Sequence, residues 1–142
     1  SKEEDSLFPA MEAAGFPREG GPTAVMRMEH AMGRKLVADM TVELRRGSAE
    51  PFCARADEFH ALLSQHIQKE DHCLFPMACS AMGDAESCKL FDCFRRIEQD
   101  AGGKRHQGFL AAARSLCERY GVTPIDISAL PSIRNAFLSN PG

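Results

Sequence analysis

His66-Ile67-Gln68-Lys69-Glu70-Asp71-His72-Cys73-Leu74-Phe75-Pro76 is the stretch whose reading decides how this chain folds. His66 and Glu70 stand four residues apart, a spacing that puts an imidazole and a carboxylate on one helical face, one turn apart, with their tips free to converge. Leu62, Leu63, Ile67 and Leu74 supply apolar positions that turn this face toward a core. A core-facing acid needs a partner, because burying an unpaired carboxylate is expensive. Two arrangements provide one. The first is a His–Glu hydrogen bond, or an Arg reaching the acid from another helix. The second is a bound metal. The spacing alone leaves both open.

A second copy of the motif opens the chain. Lys2-Glu3-Glu4-Asp5-Ser6-Leu7-Phe8-Pro9 aligns with Lys69-Glu70-Asp71-His72-Cys73-Leu74-Phe75-Pro76 at a constant offset of 67 residues. Five of eight positions are identical, and Glu4 falls on Asp71, an acid on an acid. An internal repeat of this kind predicts a helical bundle whose halves carry matching carboxylates, Glu3 and Glu70. Two inward carboxylates on facing helices, joined by histidines, are how a bundle core holds a pair of irons. The first-copy partner of His66 would lie before Ser1.

The chain resembles the hemerythrin-like, HHE cation-binding family. The resemblance rests on three blocks: Lys2-Glu3-Glu4 through Leu7-Phe8-Pro9; Gly21-Pro22-Thr23-Ala24-Val25-Met26 leading to Glu29-His30 and Gly33-Arg34; and His66-Ile67-Gln68-Lys69-Glu70-Asp71 through Leu74-Phe75-Pro76-Met77-Ala78. A weaker likeness continues through Phe94-Arg95-Arg96-Ile97-Glu98 to His106. The resemblance implies an all-α, up-down helical bundle with an additional C-terminal helix, and a non-heme di-iron centre. Carried over, Glu3 is the second-helix carboxylate, His30 the third-helix histidine, and His66 with Glu70 the fourth-helix pair, the glutamates bridging the metals. The family's first helix and second-helix histidine have no counterpart in this sequence. The chain also begins inside a motif, without an initiator Met, and so reads as the C-terminal part of a longer protein or as a processed chain.

Composition bounds the remaining options. A length of 142 residues fits one domain, and 44% hydrophobic with 26% charged residues is ordinary for a water-exposed globular chain. A net charge of −3 argues against a nucleic-acid backbone as partner, and no apolar run approaches a membrane span. None of the six cysteines (Cys53, Cys73, Cys79, Cys88, Cys93, Cys117) forms a C-x-x-C pair. Most lie in apolar helical surroundings, so they are expected to be reduced core residues of a cytoplasmic protein.

Period and punctuation predict the elements. A first helix runs to about residue 14, with a kink or a final turn at Pro9, and Gly15 ends it. The second helix spans about 22–46, with Pro22 and Thr23 at its start and Arg45, Arg46 and Gly47 at its end. Val25, Met26, Gly33 and Val37 surround His30, which places His30 inward and Glu29 toward the flank. Ser48 caps a third helix over about 49–82, interrupted near Pro76, with Phe52, Ala56, Phe59, Leu62, Leu63 and His66 on one face. His60 is off that face. His72 aligns with Asp5 and is not read as a ligand. A last helix over about 85–120 breaks at Gly102 and Gly103, and His106 on it is read as structural. The bundle then occupies residues 1–120, and residues 121–142 form a tail packed over it.

These readings predict metal ligation by Glu3, His30, His66 and Glu70, with non-heme iron, as a di-iron pair, for the cofactor. Imidazole nitrogens with carboxylate oxygens suit iron, zinc or manganese, and bridging carboxylates tolerate a change of metal charge, which favours redox iron. The expected partner is dioxygen or another small redox ligand, with a role in binding, sensing or iron handling. One alternative is a di-iron protein of the iron–sulfur cluster repair type. Another is a metal-free helical interaction module, and a third has a second copy of the chain completing the bundle. No enzymatic reaction is assigned by these residues.

Overall fold

The computed structural model describes residues 1–83, 88–90, 92–94, 96–97 and 103–123, with the backbone alone for 103–106. The expectations for Glu98, for the side chain of His106 and for most of the tail lie outside the described residues. The chain divides into two compact units, Glu3–Met82 and a second made of Ser1–Lys2 with Gly83–Gly142.

The regular elements of the first unit are all helices, as its sequence periods require. It opens with a π-helical turn, Glu3–Leu7, that runs into α1, Phe8–Ala13. The chain reverses through a loop and enters α2, Pro22–Arg46. Gly21 makes this reversal possible, because a Cβ there would collide with the Pro17 carbonyl oxygen. Pro22 occupies the first helical position, where its missing N–H costs nothing. At the far end Gly47 adopts φ 71° and closes the helix, its N–H donating to Leu44 O (3.1 Å) while the Ser48 N–H donates to Glu43 O (3.0 Å). This paired closure needs a left-handed residue, which glycine supplies at little strain. α3, Ala49–Lys69, follows at once. Ser48 stands before it, as expected, but its hydroxyl makes no capping bond.

A second π-helical turn, Glu70–Leu74, joins α3 to α4, Phe75–Ala81. The repeat in the sequence is therefore a repeat in the backbone. Each copy is a wide five-residue turn that begins on the repeat acid, ends on the repeat leucine and leads into Phe-Pro. The kink or final turn expected at Pro9 takes the form of a wide turn just before the ring, followed by a short last stretch of helix. Proline cannot donate an N–H and its ring crowds the preceding turn. The backbone opens one turn ahead of the ring, and the helix then continues past it.

Partner residues fix the directions. Phe8 stacks on His30 (ring centroids 5.8 Å) and lies under Arg27 (5.0 Å), while Glu12 accepts from Thr23 Oγ1 (3.1 Å) and from Arg27 Nη1. The first segment thus runs antiparallel to α2. His30 meets His66, and Gly33 lies against Phe59 and Leu62, so α3 runs antiparallel to α2 as well. The core gathers where the two repeat copies lie: Leu7, Phe8, Met11, Met26, Leu74 and Ala78 are buried, with Thr23 among them. Leu63, Ile67, Val25 and Val37 are exposed, contrary to the sequence reading.

In the second unit, residues 88–90, 92–94 and 96–97 are helical, with Leu90 and Phe94, four apart, both buried. α5, Gly103–Tyr120, exposes Phe109, Leu116 and Tyr120 and half-covers Leu110 and Cys117. No disulfide joins any of the six cysteines. Three are exposed and three half-buried, so none is the core residue that its surroundings in the sequence suggested. No described helix is long and apolar enough to cross a membrane.

Candidate metal centre

His66 closes α3 and is buried; Glu70 starts the wide turn that follows, four residues on. His30 comes from the middle of α2 and is half-buried. One ligand atom from each of His30, His66 and Glu70 lies within 4.8 Å of the other two. Three of the four residues singled out by sequence are thereby brought together. The fourth, Glu3, is not in this group, but its charge is felt by Glu70.

The closest distances have a metal-like pattern. His30 Nε2 lies 3.2 Å from His66 Nε2, and Glu70 Oε1 lies 3.3 Å from the same His66 atom. An ion about 2.1 Å from each ligand sets neighbouring ligands about 3.0–3.4 Å apart at tetrahedral or octahedral angles. The rings are tilted by 54° with centroids 4.8 Å apart, so they converge edge-on rather than stack.

Each histidine is held from behind by a carboxylate. The His30 Nδ1–H donates to Glu4 Oε1 (2.8 Å), and the His66 Nδ1–H donates to Glu29 Oε2 (2.9 Å). With both Nδ1 protons engaged, the gap between the two Nε2 atoms takes either one proton or one cation, since two bare lone pairs repel. Among the described residues, no buried side-chain nitrogen or oxygen is left without a partner.

The placement of Glu29 toward the flank is corrected. Glu29 is buried, at 7% exposure, and bonds both His66 and Lys69. Helical spacing put His30 inward and therefore turned its neighbour away. What it missed is that α2 is embraced from two sides, so adjacent residues each find a partner helix. A signal did exist: an inward histidine needs an acceptor for its second nitrogen, and Glu4 and Glu29 are acids next to predicted ligands.

The acids differ in how their charge is held. Burial pushes the Glu29 carboxyl upward, but the Lys69 ammonium and His66 outweigh it and hold it below the ordinary value of 4.5. Arg34 chiefly holds Glu4 below that value too, against a smaller contribution from burial. Glu70 goes the other way. Burial raises it, and the nearby Glu3 adds to the rise, against the pull of His66. A carboxyl placed so stands to gain most from a cation, which inverts both effects.

The fold and these residues define a class: a helical bundle with two imidazoles and a carboxylate converging between its helices, chemically fit for a divalent cation. Residues 1–78 match the Hemerythrin HHE cation binding domain, and the chain belongs to that family of cation-binding helical domains. Searches of curated proteins and of solved structures found no match.

Proposed function

We propose that this chain is a non-heme iron module, of di-iron type, that binds dioxygen or another small redox ligand in a sensing or iron-handling role. His30, His66 and Glu70 hold one ion, and Glu3 joins Glu70 at the second. The observation that carries this reading is the convergence of two Nε2 atoms and Glu70 Oε1 at spacings of 3.2 and 3.3 Å. Three protein ligands at an ion leave coordination positions for a small molecule. Iron held there supplies a reversible change of metal charge and an open site. The chain's own residues orient the imidazoles, keep Glu70 close to a like-charged acid, and line the site with Phe8, whose ring stacks on His30.

Anaerobic loading with Fe(II), followed by metal analysis and an optical spectrum in air, tests the reading. Bound iron at one to two equivalents with ligand-to-iron absorption is the expected result. A folded chain that retains no iron would remove it. The exposed Met28, Met32, Leu63 and Ile67 on α2 and α3 favour a second reading, a metal-free interaction module. Under that reading, His66→Ala leaves every binding property unchanged.

A further inference from the structure

Two side-chain chains of the same chemical order meet at the candidate site. Arg34 Nη1 donates to Glu4 Oε1 (2.9 Å), which accepts the His30 Nδ1–H as well. Lys69 Nζ donates to Glu29 Oε1, and the other oxygen, Oε2, accepts the His66 Nδ1–H. Each chain therefore runs cation, carboxylate, imidazole. They arrive from different directions, one from the first π-helical turn onto α2, the other from α2 onto α3. Both end on the pair of Nε2 atoms that face each other.

An ionised carboxylate can only accept, so its partner nitrogen must carry the proton. A neutral imidazole without such a partner samples both tautomers and rotates about its side-chain bonds. Fixing Nδ1–H leaves the Nε2 lone pair aimed at the gap, and it makes the ring a stronger donor. Arg34 donates to the half-buried Glu4 and Lys69 to the buried Glu29, so each carboxylate is itself held in place behind its histidine.

We propose that Glu4 and Glu29 are positioning residues of the cation site, each setting the tautomer and ring orientation of one histidine so that both Nε2 atoms present to a single ion. This rests on reading His30, His66 and Glu70 as ligands. It adds two residues that touch no ion and act through the histidines. It also gives the two copies of the repeat different parts to play, since Glu4 serves in this role while its counterpart Asp71 is exposed.

The full chain, labelled with ¹⁵N-histidine, is compared with its Glu4→Leu, Glu4→Gln, Glu29→Leu and Glu29→Gln variants, with Co(II) as the probe. In the metal-free wild type, long-range ¹H–¹⁵N spectra are expected to show Nδ1 protonated on His30 and His66. Each Leu variant releases its own histidine to the other tautomer and weakens Co(II) binding by about 10- to 100-fold. The Gln variants keep a carbonyl acceptor, retain the tautomer and lose less affinity. Glu4 is the more exposed of the two acids, so its variants carry the test even where the buried Glu29 position does not accept Leu. Wild-type Co(II) binding together with Leu variants of equal affinity and unchanged tautomers overturns this proposal alone. A wild-type chain that binds no Co(II) overturns the ligand reading, and this one with it.

Discussion

Residues 3–13 and 70–81 share a backbone and differ in what that backbone delivers. Both begin with a wide turn on a glutamate, bury a leucine at its end (Leu7 at 0% and Leu74 at 1% exposure), and continue through Phe-Pro to a buried residue, Met11 or Ala78. The second copy is preceded by the buried His66, so its glutamate joins an imidazole pair at ligand distance. The first copy brings Glu4 to His30, bonding it from the side away from that pair. A duplicated segment thus keeps its packing while its polar residues take separate tasks. Apolar packing is set by the helical period, which the repeat preserves. Polar function depends on which helix lies opposite, which it does not.

The largest effect expected from breaking this comparison is on cation affinity. His66→Ala or Glu70→Ala should weaken Co(II) binding by more than about 100-fold, beyond what loss of an outer partner costs, while Glu3→Ala should cost less. Titration followed by optical absorption measures both. Equal losses at residues 3 and 70 would show that the two copies serve as equivalent ligands.

The next effect is on stability, where the copies should behave alike. Leu7→Ala and Leu74→Ala each remove a fully enclosed side chain and should each cost about 2–5 kcal/mol in urea unfolding. A large cost at one position with little at the other would mean that only one copy packs as described.

A smaller effect belongs to the first copy alone. The Arg27 guanidinium, and then Thr23, hold the Glu12 carboxyl below its ordinary value of 4.5, against the opposing effect of burial. A depressed folded-state value contributes stability above pH 4.5 that is lost as pH falls through the lowered value. Glu12→Gln should therefore lower the melting temperature slightly at pH 7, by a difference that shrinks as the pH falls below 4.5. A gap that widened on acidification would contradict the pairing.

Smallest of all, Asp71→Ala should leave Co(II) affinity unchanged. Asp71 is the repeat counterpart of Glu4, yet it is exposed. A loss comparable to that of Glu4→Leu would restore symmetry between the copies.

Much of this molecule was legible in the residue order. The repeat predicted paired segments, and the helical period with Pro22, Gly47 and the Arg45 and Arg46 pair predicted α2 to its ends. Those features act within a few residues of themselves, so the local chain carries them. The i,i+4 relation of His66 and Glu70 was legible for the same reason. The convergence of His30 on that pair was an expectation drawn from family resemblance, and packing of α2 against α3 produces it.

Tertiary structure alone decided the rest. Glu29 became buried because α3 approaches α2 on a side that spacing had assigned to the flank. Glu4 became the partner of His30 because the first segment returns along α2, bringing together residues 26 positions apart. The proline disturbance moved one turn upstream, where the backbone could open without losing the core contacts of Leu7 and Leu74. Residue order determines which side chains each helix offers. The approach of a neighbouring helix determines which of those side chains meet, because hydrogen-bond and coordination geometry is satisfied across helices rather than along them.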